Sequence, residues 1–116
     1  MEKSSPLIQW EDFQKIDLRI GTIIQVELFA EAKKPAYKLW VDLGEALGIK
    51  KSSAQITRLY RPDDLIGLQV LCVVNFPPRQ IANFMSEILV TGLVTDKGDV
   101  VLMHPGQPVP NGTRLA

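Results

Sequence analysis

Residues 16–28 read IDLRIGTIIQVEL, a stretch in which apolar and polar side chains alternate over most of its length. Alternation with a period of two is typical of a β-strand with one buried face. The apolar face is predicted to carry Ile16, Leu18, Ile20, Ile24, Val26 and Leu28, and the polar face Asp17, Arg19, Gln25 and Glu27. Gly21 interrupts this strand, at a point where a chain that bends around a small barrel needs no side chain.

Shorter strand signals follow along the chain. We expect strands over residues 38–43, 52–57, 69–74, 87–94 and 100–103, the last two forming a hairpin around the turn at 96–99. Trp10 and Phe13 flank an acidic pair, which predicts one helical turn with its aromatic side chains inward. Pro62 is predicted to begin a second helical turn. Five or six strands in 116 residues indicate one all-β domain, with a closed or nearly closed barrel over roughly residues 16–104.

The charges balance overall but are unevenly distributed. The chain has 13 basic and 13 acidic residues, yet residues 31–61 hold seven basic against three acidic side chains. Two interpretations are open: a local basic face that Arg79 could join, or scattered solvated lysines. No apolar run approaches the ~20 residues of a membrane-spanning helix, so no membrane insertion is expected. Cys72 lies in an apolar run and is expected to be a buried, reduced thiol, as in a cytoplasmic protein.

The sequence offers no set of residues suited to catalysis. His104 is the sole histidine, it precedes a proline-rich tail, and no Gly-x-Ser-x-Gly motif occurs. Helix capping explains Asp63 and Asp64. One cysteine and one histidine exclude zinc sites built from several such ligands. We therefore expect a binding protein with no catalytic residues, no cofactor and no metal site.

Residues 75–86, NFPPRQIANFMS, form the most informative segment. Its two prolines cannot lie in the middle of a sheet, so it must connect two strands. Connections are usually polar, but this one carries Phe76, Ile81, Phe84 and Met85. These side chains could seal one end of the barrel or form an apolar binding surface. The hydrogen-bonding residues beside them favour a concave site, in which polar groups orient an apolar ligand.

Several motifs resemble the tRNA-binding-domain family. The matching stretches cover most of residues 10–113 and include DFQKIDLRIGTI (12–23), KLWVDLG (38–44), SSAQIT (52–57), VVNFPPR (73–79) and PVPNG (108–112). The runs SSAQIT and NFPPR are typical of one branch of the family, the small bacterial secretion-associated chaperones.

This resemblance implies a five-stranded oligomer-binding (OB) barrel with a short N-terminal helix and a C-terminal extension used in dimerisation. It implies a homodimer with Trp10, Phe13, Pro108 and Pro110 at the interface. The implied function is a chaperone that binds unfolded or pre-export polypeptides. The expected polypeptide-binding residues are Asn75, Phe76, Arg79, Phe84 and Ser86.

Binding of tRNA is the alternative function, and the expected contacts are Lys33, Lys38, Lys51, Arg58 and Arg79. Two departures from the RNA-binding branch favour polypeptide over RNA. Residues 34–39 read KPAYKL where that branch has His-Pro-x-Ala-Asp-Lys-Leu, and residues 86–89 read SEIL where it has Ser-Glu-Gly-Met. Loss of that glycine removes backbone freedom near a ligand. The balanced net charge also favours polypeptide, because RNA affinity depends on neutralising phosphates. Whether the two ligands would share a surface is left open.

Overall fold

The computed structural model describes residues 4–116, which form a β-rich domain with two short helices. The helices are α1 (Trp10–Gln14) and α2 (Pro62–Leu65). The strands of the described residues are β1 (Leu18–Leu28), β2 (Tyr37–Asp42), β3 (Ile49–Ala54), β4 (Gln69–Val73), β5 (Arg79–Ile81), β6 (Phe84–Ser86), β7 (Leu89–Val90), β8 (Gly92–Val94) and β9 (Val100–Leu102).

Five strands form an antiparallel sheet in the order β3-β2-β1-β4-β7, and the two hairpins β5–β6 and β8–β9 stand apart from it. The ends of this sheet approach each other. The main-chain oxygen of Lys51 in β3 accepts hydrogen bonds from the N–H groups of Glu87 (2.8 Å) and Ile88 (3.3 Å), just before β7. The sheet is therefore a nearly closed barrel, which confirms the predicted all-β, OB-like fold.

The barrel encloses a single large apolar cluster. Its most deeply buried members are Ile23, Leu39, Val41, Leu43, Leu65, Val70 and Cys72. Burial raises the pKa of the Cys72 thiol to about 12. The thiol therefore stays protonated and unreactive at neutral pH, because the thiolate is the nucleophilic form. The predicted burial of Cys72 is confirmed.

The predicted buried face of β1 is only partly correct. Ile23 lies opposite Val41 and Gln25 lies opposite Trp40, so Ile24 is an extra residue that forms a β-bulge. One extra residue reverses which side chains face the core. Before the bulge the core side of β1 carries Gly21 and the fully buried Ile23, and after it the core side carries Val26. Ile16, Ile24 and Leu28 are exposed, contrary to the sequence prediction.

Gly21 occupies a tightly packed position on β1. A Cβ atom there would lie 2.4 Å from Val41 Cγ1 and 2.7 Å from Leu43 Cδ2. Neither distance is compatible with a side chain, so the absence of one lets β1 approach β2 closely. This explains the glycine within a strand that is otherwise rich in β-branched residues.

Other elements follow the predictions with shifted boundaries. The third strand begins at Ile49 rather than Ser52, because Lys50 and Lys51 pair with β2. The apolar run 87–94 is divided between β7 and β8, and the predicted hairpin of β8 and β9 is confirmed. Helix α1 is present, but the prediction that its aromatic residues point inward is wrong for Trp10, which is 61% exposed.

The C-terminal segment is fastened along the first half of β1. Ile20 exchanges main-chain hydrogen bonds with Gly112 (2.7 Å) and Thr113 (3.0 Å). The Asn111 side-chain oxygen accepts hydrogen bonds from the Thr22 hydroxyl (2.8 Å) and the Gln69 amide (3.2 Å). These contacts hold the proline-rich tail beside the barrel without making it a strand of the sheet.

Candidate functional site

The segment 75–86 folds into a small hairpin that lies over the seam of the barrel, which is the line where β3 approaches the residues just before β7. After Pro77 and Pro78, β5 pairs with β6 around a turn in which Ala82 has a φ of 51°. The hydroxyl of Ser86 accepts a hydrogen bond from the N–H of Ser53 in β3 at 3.2 Å. The hairpin is therefore tied directly to the edge of the barrel sheet.

Phe84 anchors the hairpin in a second apolar cluster outside the barrel core. Its side chain is only 5% exposed. The ring makes edge-to-face contacts with Phe29, at a centroid distance of 5.4 Å, and with Trp40, at 6.1 Å. Such aromatic pairs contribute beyond the area they bury. This cluster fixes the hairpin against the end of the β1–β2 pair.

Two lysines lie within cation–π distance of the same ring. The amine of Lys38 is 5.5 Å from the centroid of Phe84 and 5.0 Å from that of Phe29, and the amine of Lys51 is 5.3 Å from that of Phe84. Lys38 also lies 3.8 Å from Glu31, and its side chain is 17% exposed. Lys38 is therefore mainly a structural cation.

Two clefts flank the hairpin. The larger has a volume of about 840 Å³ and lies between β5, the 29–36 loop, the end of β3 and β8. The smaller has a volume of about 430 Å³ and lies between the Phe76–Pro77 turn and β7. Ser53, Arg79, Ile81 and Leu89 line both clefts. Strand β5 thus forms a shared wall, and both clefts combine apolar surface with a few polar groups.

The residues predicted to bind polypeptide are only partly brought together. Phe76, Arg79 and Ser86 line the smaller cleft, and Phe76 is 54% exposed. Phe84 lines neither cleft and instead anchors the hairpin through its contacts with Phe29 and Trp40. Asn75 also lies outside both clefts: its amide donates to the Lys15 carbonyl at 2.7 Å, and its side-chain oxygen accepts from the N–H of Asp17 at 3.0 Å.

Four of the five residues predicted to contact RNA surround the same hairpin. Lys33 and Arg79 line the larger cleft, and Lys38 and Lys51 lie beside Phe84. Arg58 lines neither cleft, and its guanidinium lies 3.1 Å from the Asp99 carboxylate. The basic side chains predicted from the sequence therefore converge on the apolar site, with Arg58 as the exception.

The residues predicted at a dimer interface lie on the outside of the protomer. Trp10 packs against the ring of Phe13 at a centroid distance of 5.4 Å, and no residue of α1 is buried. Pro108 and Pro110 are exposed on the C-terminal tail. This placement leaves all four side chains, with Phe13 half-buried, on surfaces that a second copy could cover.

Sequence reasoning missed Ser53 and Leu89 as cleft residues, and Phe29 and Trp40 as supports of the hairpin. Leu89 lies in an apolar run that predicts an ordinary buried strand, so nothing in the sequence indicated that its side chain would be exposed. Ser53 belongs to the SSAQIT run, and that motif was the sequence feature that could have indicated a role for this part of β3. Phe29 follows directly on β1 at the loop that turns toward β2.

No helix within residues 4–116 is long and apolar enough to cross a membrane. In the same part of the chain, no group of three or more His, Cys, Asp or Glu side chains is arranged to hold a metal ion. His104 is exposed, and its Nδ1 lies 2.7 Å from the Gln69 carbonyl.

Comparisons with known proteins agree with this architecture. Residues 18–114 match the family described as "Putative tRNA binding domain". The structure of the chaperone CsaA from Bacillus anthracis str. Ames is 52% identical, with a TM-score of 0.90 over 96% of this chain and 100% of that chain. The CsaA chaperone protein from Picrophilus torridus is 50% identical, with a TM-score of 0.89 over 95% of this chain and 100% of that chain.

Larger proteins also contain this domain. A methionine–tRNA ligase from Methanothrix thermoacetophila is 35% identical over 111 residues, which are 95% of this chain and 16% of that protein. The chain thus spans about one-sixth of the length of the curated relatives it matches. The family match covers nearly the whole barrel and its tail, and two solved structures share about half of the residues of this chain. The chain therefore belongs to the tRNA-binding-domain family.

Proposed function

We propose that this protein is a dimeric molecular chaperone that binds unfolded or pre-export polypeptides in the clefts beside the β5–β6 hairpin. The observation that carries the proposal is the position of Phe76, whose ring is 54% exposed on the wall of the smaller cleft. Leu89 is exposed on the same wall. Apolar walls with a few convergent polar groups, here Arg79 and Ser86, suit an apolar ligand that must also be oriented.

The comparisons support this proposal. The two CsaA chaperones share 52% and 50% of their residues with this chain. At that similarity the barrel, hairpin and clefts are expected to be shared as well. A chaperone function is the one that the apolar clefts of this chain fit.

Dimerisation is part of the proposal because of a second apolar surface. Leu7, Ile8 and Trp10 are exposed close together in sequence near the N-terminus. Clustered exposed apolar side chains usually mark an interaction site. A two-fold dimer would duplicate the clefts, and a client that reaches both would gain avidity.

Binding of tRNA is a second candidate function. The protein could bind tRNA in addition to polypeptides, or it could bind tRNA and have no chaperone role. Lys33, Lys51 and Arg79 lie around the hairpin, and the family match supports a tRNA partner. Cations that neutralise phosphates make affinity strongly salt-dependent, with a log–log slope of about −3 to −5 for several contacts. A flat salt response, or no tRNA binding at low salt, would exclude this candidate.

The chaperone proposal is tested by suppression of client aggregation. Phe76→Asp should lose most of the suppression because it puts a charge on the apolar cleft wall. Leu59→Asp is the matched control, since Leu59 is 48% exposed and lines neither cleft. Suppression by Phe76→Asp equal to that of Leu59→Asp would contradict the proposed site.

A further inference from the structure

The barrel seam is closed along only part of β3. Alternate residues of an antiparallel strand direct their main-chain groups to opposite neighbours. In β3, Lys51 donates its N–H to Glu87 Oε1 at 3.1 Å and accepts through its C=O from the N–H groups of Glu87 and Ile88. The N–H of Ser53 donates to the Ser86 hydroxyl. The main-chain N–H and C=O groups of the odd-numbered residues of β3 therefore point toward the seam.

Pairing across the seam stops after Ser53. The C=O of Ser53 accepts only the hydroxyl of the neighbouring Ser52, at 2.9 Å. Gln55 follows directly on the last residue of β3, and within residues 4–116 neither its N–H nor its C=O takes part in a hydrogen bond. The end of β3 and the residue after it thus form a short sheet edge that no other strand pairs with.

This edge faces open space. Ser53 lines both clefts, and Gln55 lines the larger one. Gly92 and Val94 form the far side of the larger cleft, and Ile81 forms a second wall. A free edge with a ladder of main-chain donors and acceptors is a template for another strand.

We propose that the larger cleft binds an extended segment of unfolded polypeptide, which adds to β3 as an extra strand along residues 53–55. This inference rests on the proposed chaperone function and specifies its mode of recognition. Main-chain pairing supplies affinity for any extended sequence, and the apolar walls take alternate side chains. Recognition is therefore tolerant of sequence and selects extended segments with apolar residues at every second position.

The free groups at the edge match a polypeptide. The C=O of Ser53 has a second lone pair for a further donor and the N–H of Gln55 has no acceptor, and a peptide backbone supplies both partners at strand spacing. An RNA backbone offers phosphate acceptors and 2′-hydroxyls, but no alternating N–H and C=O groups at strand spacing. Most of the cleft wall is apolar, which suits side chains and not phosphates.

The test uses the intact protein and an eight-residue peptide with apolar residues at every second position and serines between them, which fixes its register, together with a fluorescent label and terminal lysines. Two further peptides carry N-methyl groups at either the odd or the even positions, so that each lacks one set of N–H donors. Strand addition predicts that one methylated set binds about tenfold more weakly or worse, whereas the other stays within about twofold of the parent. Equal affinities of the two methylated peptides would overturn strand addition while the proposed function stands. No binding of the parent peptide would overturn both.

A protein variant tests the edge itself. Gln55→Pro removes the free N–H, and its effect on Ala54 is small because that residue already has the extended conformation of β3. Gln55→Ala keeps the N–H and is the matched control. We expect weaker peptide binding by Gln55→Pro alone, with unchanged thermal unfolding. Equal binding by the two folded variants would contradict the inference, and the methylated peptides decide it if Gln55→Pro fails to fold.

Discussion

The amine of Lys51 lies 5.3 Å from the centroid of the Phe84 ring, so a residue predicted to bind RNA supports one predicted to bind polypeptide. The amine of Lys38 lies 5.5 Å from the same centroid. A cation near an aromatic face is attracted by the ring quadrupole. The ring is buried and the lysines border it, which makes Phe84 the structural support of both candidate surfaces.

Phe84→Ala should therefore act on stability before it acts on binding. Truncating a buried phenylalanine typically costs about 3–5 kcal/mol, and we expect the lower end because Phe84 lies in a small cluster outside the barrel core. The free energy of unfolding from urea titration measures this loss. Phe84→Leu keeps most of the apolar volume and should lose less than half as much. A Phe84→Ala variant as stable as the parent would mean that the aromatic cluster does not hold the hairpin.

Lys51→Ala should weaken tRNA binding and reduce the magnitude of its salt slope by about one, as expected for one lost phosphate contact. Lys38→Ala should change the slope less, because the Lys38 amine already lies 3.8 Å from Glu31 and its side chain is largely covered. Fluorescence titration of labelled tRNA at several salt concentrations measures both slopes. Lys97→Ala, in the turn between β8 and β9, is the control. Slopes that fall equally in all three variants would indicate only a loss of net charge.

The barrel was predictable because it depends on local patterns. The strand predicted from the alternation at 38–43 and the hairpin predicted from the turn at 96–99 are both present in the structure, with small shifts of their boundaries. The buried face of β1 was not predictable, because Ile20 packs under the C-terminal tail while Gly21 and Ile23 face the barrel core, and the bulge at Ile24 then shifts the register. Both are relations between segments distant in sequence, and β1 alone carries no mark of them. Periodicity alone cannot place an unpaired residue.

The candidate site was predictable as a segment but not in its details. The two prolines and the apolar residues of 75–86 identified the connection, and Phe76 and Arg79 do line a cleft. The burial of Phe84 depends on Phe29 and Trp40, which are distant in sequence. The side chain of Asn75 binds to the chain after α1, an interaction that only tertiary structure reveals.

Acid should weaken the attachment of the C-terminal tail to the barrel. The Asp17 carboxylate accepts a hydrogen bond from Arg19 Nε at 2.7 Å and lies 3.4 Å from Arg114 Nε in the tail. The hydrogen bond from Arg19 is the main cause of the lowered pKa of Asp17, and it outweighs the partial burial that raises this pKa.

A carboxyl whose pKa is lower in the folded state stabilises the fold above its unfolded pKa of about 3.9, and this stability is lost as the pH falls through the folded value. Asp17→Asn should be less stable than the parent at pH 7, and should lose less stability between pH 7 and pH 3. Urea midpoints at the two pH values measure this. Asp63→Asn, outside the network, should lose as much stability as the parent. Parallel losses in the parent and Asp17→Asn would contradict the assignment.

Trp10→Ser should weaken the proposed dimer without unfolding the protomer. The Trp10 side chain is 61% exposed on a helix that has no buried residue, so its removal costs the isolated protomer little. A tryptophan at the centre of an interface typically contributes about 2 kcal/mol or more, which corresponds to a dissociation constant raised about 30-fold. Sedimentation equilibrium over a range of protein concentrations measures that constant. Leu28→Ser is the matched control, because Leu28 is 65% exposed at the end of β1 and is not among the predicted interface residues. A monomeric parent protein at all concentrations, or equal dissociation constants for the two variants, would show that Trp10 is not at a dimer interface.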